Sequence, residues 1–381
     1  MSLVGIIGEY NPFHRGHEYL ISSAKAMSSA DLLVSVMSGD FTQRGTPAVF
    51  DKWKRAEAAV KGGINLVLEL PQIYAVSHAG DFAMAGVTML DEMGCDYIAF
   101  GSECGDEELM SEITSLVIEA EGPRRDIIEF LMQEGISYPE AREAAVRTLN
   151  PEIDLTPLFS SNDILGIEYL KAMRKLDSYM VPLVVKRMGD NHLVSATAAR
   201  EEIKKDPNEK KRIERMDEAY FDIVRTLILE KSAEEIENVP SAGEGLANKL
   251  KQELRYASSL DDLIGRVKSK RYTYTRISRL LAQMVLGMDR SALADSREGL
   301  YFRALAFDEM GAELLRCIHD GESEIPIMES PARIEGSENF MYSVDVTVRA
   351  SDIYNIIQGT DMYGGSDYVR KPIYMRGESL I

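Results

Sequence analysis

The chain has 381 residues, 45% of them hydrophobic, enough for two or three domains with real cores. Its 62 acidic and 43 basic residues give a formal net charge of -19, which argues against coating nucleic acid through overall charge but leaves room for a local basic patch. Cys95, Cys104 and Cys317 form no C-x-x-C pair and leave an odd thiol, so neither a disulfide framework nor a zinc site is indicated and a reducing cytoplasm fits. The first thirteen residues lack the basic start and continuous apolar stretch of a signal peptide. No apolar run approaches the roughly 18 residues of a membrane span, so no membrane partner is expected.

In chain order, LVGIIG, DLLVSVM, NLVLELP, DYIAFGS and YMVPLVVK read as short strands, nearly continuous in apolar residues as when both faces of a parallel sheet are covered. Helical patterns over 18–28, 52–61 and 82–93 stand between them, and this alternation predicts an α/β fold with a parallel sheet and helices on both faces. A helical insertion over 107–149 precedes SSNDILGIEYLKAM, whose Ser161 and Asn162 are placed to cap the next helix. The charge run over 201–218 marks a solvated helix and the edge of a first domain, residues 1–205. The remainder, 206–381, reads as mostly helical, with IVRTLIL and ISRLLAQMVLGM at helical spacing. A mixed region over 300–355 holds one β-like run, YSVDVTV. Arg266, Lys268, Lys270, Arg271, Arg276 and Arg279 lie in an acid-free stretch that reads as a solvated helix face or as a nucleic-acid surface.

Ligands of such sheets collect at the carboxyl ends of the strands. Here those ends run into GEYNPFHRGH, SGDFTQRG, GSE and KRMGDNHLVSATAAR, which are expected to converge on one site. If a helix opens near His17, then His14 and His17 sit where unpaired N–H groups and a partial positive charge favour phosphate, and Gly16 permits close approach. H-x-G-H alone reads equally as a cap and a surface residue, or as part of a metal site. SATAAR opens a second helix after the fifth strand, so Ser195, Thr197 and Arg200 are placed to meet a triphosphate from the other side; taken alone it is ordinary capping. Asn162 reads equally as a cap and as a site residue. Asp40, Gln43 and Arg44 suit contact with a small acid or RNA, or merely a strand-to-helix turn. Asp51, Lys52 and Trp53 read as the start and packing face of a helix, Glu69 as a core carboxylate or a site organiser, and His78, His192 and His319 as ordinary polar residues.

GEYNPFHRGH together with SATAAR resembles the nucleotidyltransferase superfamily with the H-x-G-H motif. The longer strings MSGDFTQRGTPAVFDKWKRAEAAVKGGINLVLELP, FGSE, SNDILGIEYLKAM and VVKRMGD closely resemble the bacterial tRNA(Met) cytidine acetate ligase family. YTYTRISRLLAQMVLGM and YFRALAFDEMGAELL extend the likeness into the second half. Two departures stand out, Gly8 in place of a residue such as Ala and Arg15 in place of Asn. The resemblance implies a Rossmann-like parallel-sheet nucleotidyltransferase domain with a mostly helical, tRNA-binding C-terminal region. It also implies use of ATP and acetate to form acetyl-adenylate, followed by acetyl transfer to the wobble cytidine of elongator tRNA(Met).

Carried over residue by residue, the resemblance places nucleotide contacts at Ile7, Gly8, Glu9, Tyr10, Asn11, Pro12, Phe13, His14, Arg15, Gly16, His17, Glu18, Tyr19, Leu20, Gly101, Asn162, Arg187 and Met188. The chemistry then assigns His14 and His17 to the transition state and Arg187 and Arg200 to the leaving phosphates, with Mg²⁺ bridging these, since the sequence shows no protein-only metal cage. No Walker A, G-x-G-x-x-G or acetyl-CoA loop is present. The alternatives are an adenylyl- or cytidylyltransferase acting on a small phosphorylated substrate, and a non-catalytic tRNA-binding protein with a vestigial nucleotide site.

Overall fold

All five apolar runs form strands in the computed structural model, which describes residues 2–187, 195–290, 298–321, 323–360 and 364–376. The first half runs β1 (Leu3–Gly8), α1 (Arg15–Ser28), β2 (Leu32–Ser38), α2 (Lys52–Lys61), β3 (Leu66–Leu70), α3 (Gln72–Ala75), α4 (Ala79–Glu92) and β4 (Tyr97–Ser102). The helical insertion follows as α5 (Glu107–Glu121), α6 (Arg125–Gln133) and α7 (Tyr138–Leu149), then α8 (Ser161–Leu176) and β5 (Val181–Lys186). Strands β1 to β5 are all parallel and ordered β5-β4-β1-β2-β3. The order reverses at β1, so a crevice opens beyond the carboxyl ends of β1 and β4.

Alternation along the strands divides the core between the two faces. Val4, Ile6, Leu33, Met37 and Val67 pack under α1 and α2, whereas Leu3, Ile7, Val34, Val36 and Leu68 face α4 and α8. Leu33, Val34 and Val36 have no exposed surface, and burial of each side chain stabilises the fold by about 1.5–3 kcal/mol relative to water. A methyl group on Gly5 would come within 2.6 Å of the Leu90 side chain, so the bare backbone lets α4 lie close to the sheet.

The second half continues with α9 (Ala196–Ile203), α10 (Pro207–Glu230), α11 (Ala233–Glu237), α12 (Leu246–Glu253), α13 (Leu260–Val267) and α14 (Tyr274–Val285). It ends with β6 (Ala304–Phe307), α15 (Glu309–Asp320), α16 (Glu338–Gln358), α17 (Ser366–Val369) and β7 (Ile373–Tyr374). This half is mostly helical, yet it also finishes the sheet: β6 pairs antiparallel with β3, and β7 pairs parallel with β6. The β-like run YSVDVTV lies inside α16 rather than in a strand. Its period-2 look is misleading, because Phe340, Val344, Thr347, Ser351 and Tyr354 recur at spacings of four and three and are all buried. Packing around that stripe, with Ser337 capping the start and Gly359 the end, overrides the strand preference of the β-branched residues.

A buried ion cluster binds the two halves together. Lys52 Nζ lies 2.7 Å from both Glu69 Oε1 and Asp367 Oδ2, while Arg303 Nη1 lies 3.0 Å from Glu69 Oε2 and 2.8 Å from Asp367 Oδ2. Ser351 Oγ also lies 3.0 Å from Asp367 Oδ2. Burial alone would push the Lys52 ammonium down; Asp367 and then Glu69 outweigh it and hold its pKa above the usual value. Burial likewise works against the Asp367 carboxylate, but Lys52 and Arg303 prevail and bring it to about 2. Glu69 is therefore a core carboxylate that helps join the two halves.

Candidate active site

Beyond β1 the chain turns through Tyr10, at φ 47°, and a cis Asn11–Pro12 bond into α1. His14 is the N-cap of that helix: its Nδ1 accepts from Gly16 N at 3.0 Å, and its own N–H donates to His17 Nδ1 at 3.2 Å. Each imidazole thus gives its Nδ1 to the backbone, so in the neutral ring the proton sits on Nε2 and each ring offers an Nε2–H donor. The two rings stack at 3.9 Å, with Phe13 stacked on His17 at 5.4 Å and Tyr10 meeting its edge at 4.9 Å. Burial, then Arg187, lowers the His14 pKa to about 4; burial, then His14 and Arg187, pushes His17 well below its ordinary value. Near neutral pH this helix terminus presents two uncharged donors.

The other strand ends are locked around this turn. Arg55 is fully buried and donates to the carbonyls of Phe50, Glu9 and Gly39, tying the loops after β1 and β2 together. Asn11 Oδ1 accepts from Val49 N at 2.8 Å, and Glu9 Oε1 from Gln43 N at 2.7 Å. After β4, the buried Asp163 accepts from Ser102 Oγ (2.5 Å), Glu103 N (2.8 Å) and Cys104 N (3.1 Å). Glu103 in turn accepts from Asn162 Nδ2 at 2.5 Å and stands 3.9 Å from Arg187 Nε. After β5, Ser195 caps α9 by accepting from Ala198 N at 3.2 Å. Arg200 projects from the same helix, its pKa lowered by burial and then by Arg44 across the site.

These elements enclose a cavity of about 420 Å³, within the range of small-molecule sites. Ile7, Gly8, Glu9, Tyr10, Asn11, His14, Gly16, His17, Tyr19, Leu20, Gly101, Asn162, Arg187, Ser195, Thr197 and Arg200 all line it. Pro12, Phe13, Arg15 and Glu18 do not: Phe13 packs behind His17, and helical periodicity turns the exposed Arg15 and Glu18 toward solvent. Met188 and His192 lie outside the described residues. Gln43 and Arg44 also line the cavity, whereas Asp40 is withdrawn into the core, accepting from Lys52 N and Ser351 Oγ. Ser161 and Asn162 sit in the first turn of α8, whose N-cap is Ser160, which leaves Asn162 free to reach Glu103. Asp51 caps α2, Trp53 packs in the core beside it, and His78 caps α4. A methyl group on Gly8 would meet the Tyr10 ring at 3.1 Å, so the glycine eases the turn.

Sequence reading passed over Arg55, Glu103, Asp163 and Tyr169. The position of Arg55 on the same helix stripe as Ala56 and Ala59 was a signal, since a charge on a core-facing stripe must find buried acceptors. For Asp163 no local pattern existed.

A doubly wound sheet with the H-x-G-H turn at its switch point defines a nucleotidyltransferase, and residues 1–366 match the HIGH Nucleotidyl Transferase family model. The tRNA(Met) cytidine acetate ligase of Clostridium novyi is 34% identical over 99% of this chain and 100% of that one. That of Caldanaerobacter subterraneus is 35% identical over 93% and 95%. Thermotoga maritima TmcAL, bound with alpha-thio ATP, superposes with a TM-score of 0.87 at 29% identity, covering 99% of this chain and 100% of that chain. The chain belongs to the tRNA(Met) cytidine acetate ligase family.

Proposed function

We propose that this protein joins acetate to the α-phosphate of ATP, releasing pyrophosphate, and then passes the acetyl group to the wobble cytidine of elongator tRNA(Met). The observation that carries this reading is the convergence of two neutral imidazole donors with Arg187 and Arg200 on one cavity at the sheet's switch point. Acetate is a weak nucleophile facing a polyanion, so the site must align a carboxylate oxygen with the α-phosphorus and offset the charge that builds on the phosphates. His14 and His17 donate Nε2–H bonds to those oxygens, and Arg187 and Arg200 hold the departing pyrophosphate. Gly101 and Asn162, at the β4 side, border the space for the nucleoside.

Mg²⁺ fits this site as a companion of the nucleotide. Among the described residues no group of three or more His, Cys, Asp or Glu side chains forms a cage, while Glu9 and Glu103 line the cavity. A hard cation held chiefly by phosphate oxygens and water needs only such one or two carboxylates, and it would neutralise phosphate charge.

Residues 1–205 carry activation in this reading, and residues 206–381 engage the RNA. Lys268, Lys270 and Arg271 are exposed at the α13–α14 junction and have no ion pair among the described residues, which supports a phosphate-binding role. Arg266 and Arg276 are instead paired, with Asp262 and Glu244. No helix among the described residues is long and apolar enough to cross a membrane.

The test is exchange of labelled pyrophosphate into ATP. It should require acetate, proceed without CoA, and be followed by acetyl transfer when tRNA(Met) is added. Acetylation driven by acetyl-CoA without ATP would refute the reading.

A further inference from the structure

Arg279, on α14, is a guanidinium without an acceptor. Its Nε is buried and unbonded, and among the described residues no hydrogen bond or ion pair engages its other nitrogens. Arg276, three residues earlier, shows what a structural arginine receives on the same helix: its Nε donates to Ser241 O at 3.2 Å, and its Nη1 lies 3.3 Å from Glu244 Oε2. The carboxylate whose charge reaches Arg279 is Asp81, which makes no ion pair with it and stands 3.1 Å from His78 Nε2. Burial, then Arg276, lowers the Arg279 pKa to about 10, so the group stays charged near neutral pH. A largely buried cation with five donors and no acceptor costs stability, and its presence is explained by an anion it must receive.

The position of Arg279 identifies that anion. The turn from Thr42 to Thr46, which brings Gln43 and Arg44 to the cavity, rests on the α14 backbone at this residue: a methyl group on Gly45, at φ 76°, would come within 2.4 Å of Arg279 N. Ser278 Oγ donates to Gly45 O at 3.0 Å and Gln283 Nε2 to Val76 O at 2.9 Å, fastening α14 to the turn after β2 and to the end of α3. Arg44 is exposed at the cavity and has no hydrogen bond or ion pair among the described residues. Arg279 does not line the cavity, so an anion that meets it belongs to a ligand reaching out past this turn. ATP and acetate occupy the cavity itself, whereas a cytidine inserted from an RNA strand carries its phosphates outside. Beyond Arg279, unpaired cations continue at Lys268, Lys270 and Arg271 on the segment that leads into α14.

We propose that Arg279 is a positioning residue for the RNA substrate, binding a backbone phosphate next to the cytidine that enters the cavity. The contact holds the strand against the Thr42–Thr46 turn and so keeps the base at the acetyl-adenylate. The inference rests on the tRNA acetylation proposed above.

Arg279→Met keeps the apolar stem and removes the charge. Loss of one charge-assisted phosphate contact should weaken binding of a tRNA(Met) transcript about 10-fold or more and reduce the salt slope of that binding by about 1. Acetyl transfer at subsaturating tRNA should fall in parallel. Acetate-dependent pyrophosphate exchange without tRNA and the urea midpoint should stay at or above those of the unaltered protein, because no acceptor inside the protein is lost. Arg279→Lys, which keeps the charge, should preserve the salt slope. Unchanged affinity and slope in Arg279→Met overturn the proposal, as does an equal loss of slope in Arg279→Lys. A fall in stability and exchange together with tRNA binding also overturns it, by making Arg279 structural. Absence of acetate-dependent exchange in the unaltered protein would overturn the acetate reaction alone, since tRNA affinity and its salt slope measure Arg279 independently. Failure of the unaltered protein to bind tRNA would overturn both.

Discussion

Replacing His14 by Asn separates the two roles that the structure gives this side chain. The Nδ1 atom caps α1 by accepting from Gly16 N at 3.0 Å, while Nε2–H is the donor assigned to the phosphates. Asparagine places a carbonyl oxygen near the Nδ1 position and is among the best N-caps, so stability should change by no more than about 0.5 kcal/mol. Alanine loses the cap as well, at about 1 kcal/mol. Both variants lack the transition-state donor, and loss of one such donor slows catalysis about 100- to 1000-fold, or about 2.7–4 kcal/mol of barrier. Urea unfolding should therefore distinguish Asn from Ala, whereas acetate-dependent pyrophosphate exchange should find them equally impaired. If His14→Asn keeps exchange within about threefold of the unaltered protein, the imidazole is only a cap and the reasoning fails.

Asp367→Asn removes the carboxylate that meets both Lys52 and Arg303, and breaking a buried pair in this way should cost about 3–5 kcal/mol in urea unfolding; a loss below about 1 kcal/mol would show that the cluster rearranges. His14 has a folded pKa of about 4 against 6.5 unfolded, so between these values the unfolded chain binds the extra proton. Its contribution is thus intact above about pH 6.5 and is lost as pH falls toward 4; unfolding midpoints at pH 7 and pH 5 should differ less in His14→Asn than in the unaltered protein. Replacing Lys268, Lys270 and Arg271 together by Gln should reduce the salt slope of tRNA binding by about 2 to 3, and an unchanged slope would leave them as a solvated surface.

Much of the α/β framework was legible because its determinants are local. A buried parallel strand must be apolar throughout, so the five runs from LVGIIG to YMVPLVVK announce themselves, and the interrupting helices declare their faces by spacing. The H-x-G-H turn was readable for a similar reason: four residues suffice to cap a helix and present two imidazoles. YSVDVTV was misread because its alternation satisfies a strand locally, and only the packing of Phe340, Val344 and Thr347 in the core makes it a helix. The tether between Glu9 and Gln43, the three-carbonyl grip of Arg55 and the joining of Lys52 to Asp367, 315 residues away, left no such trace. A charged side chain announces that it needs a partner, but which partner it finds depends on how the whole chain packs. The sequence by itself therefore determined the five parallel strands, most helices and the phosphate-facing turn, while the tertiary structure decided that β6 and β7 complete the sheet and which buried charges meet.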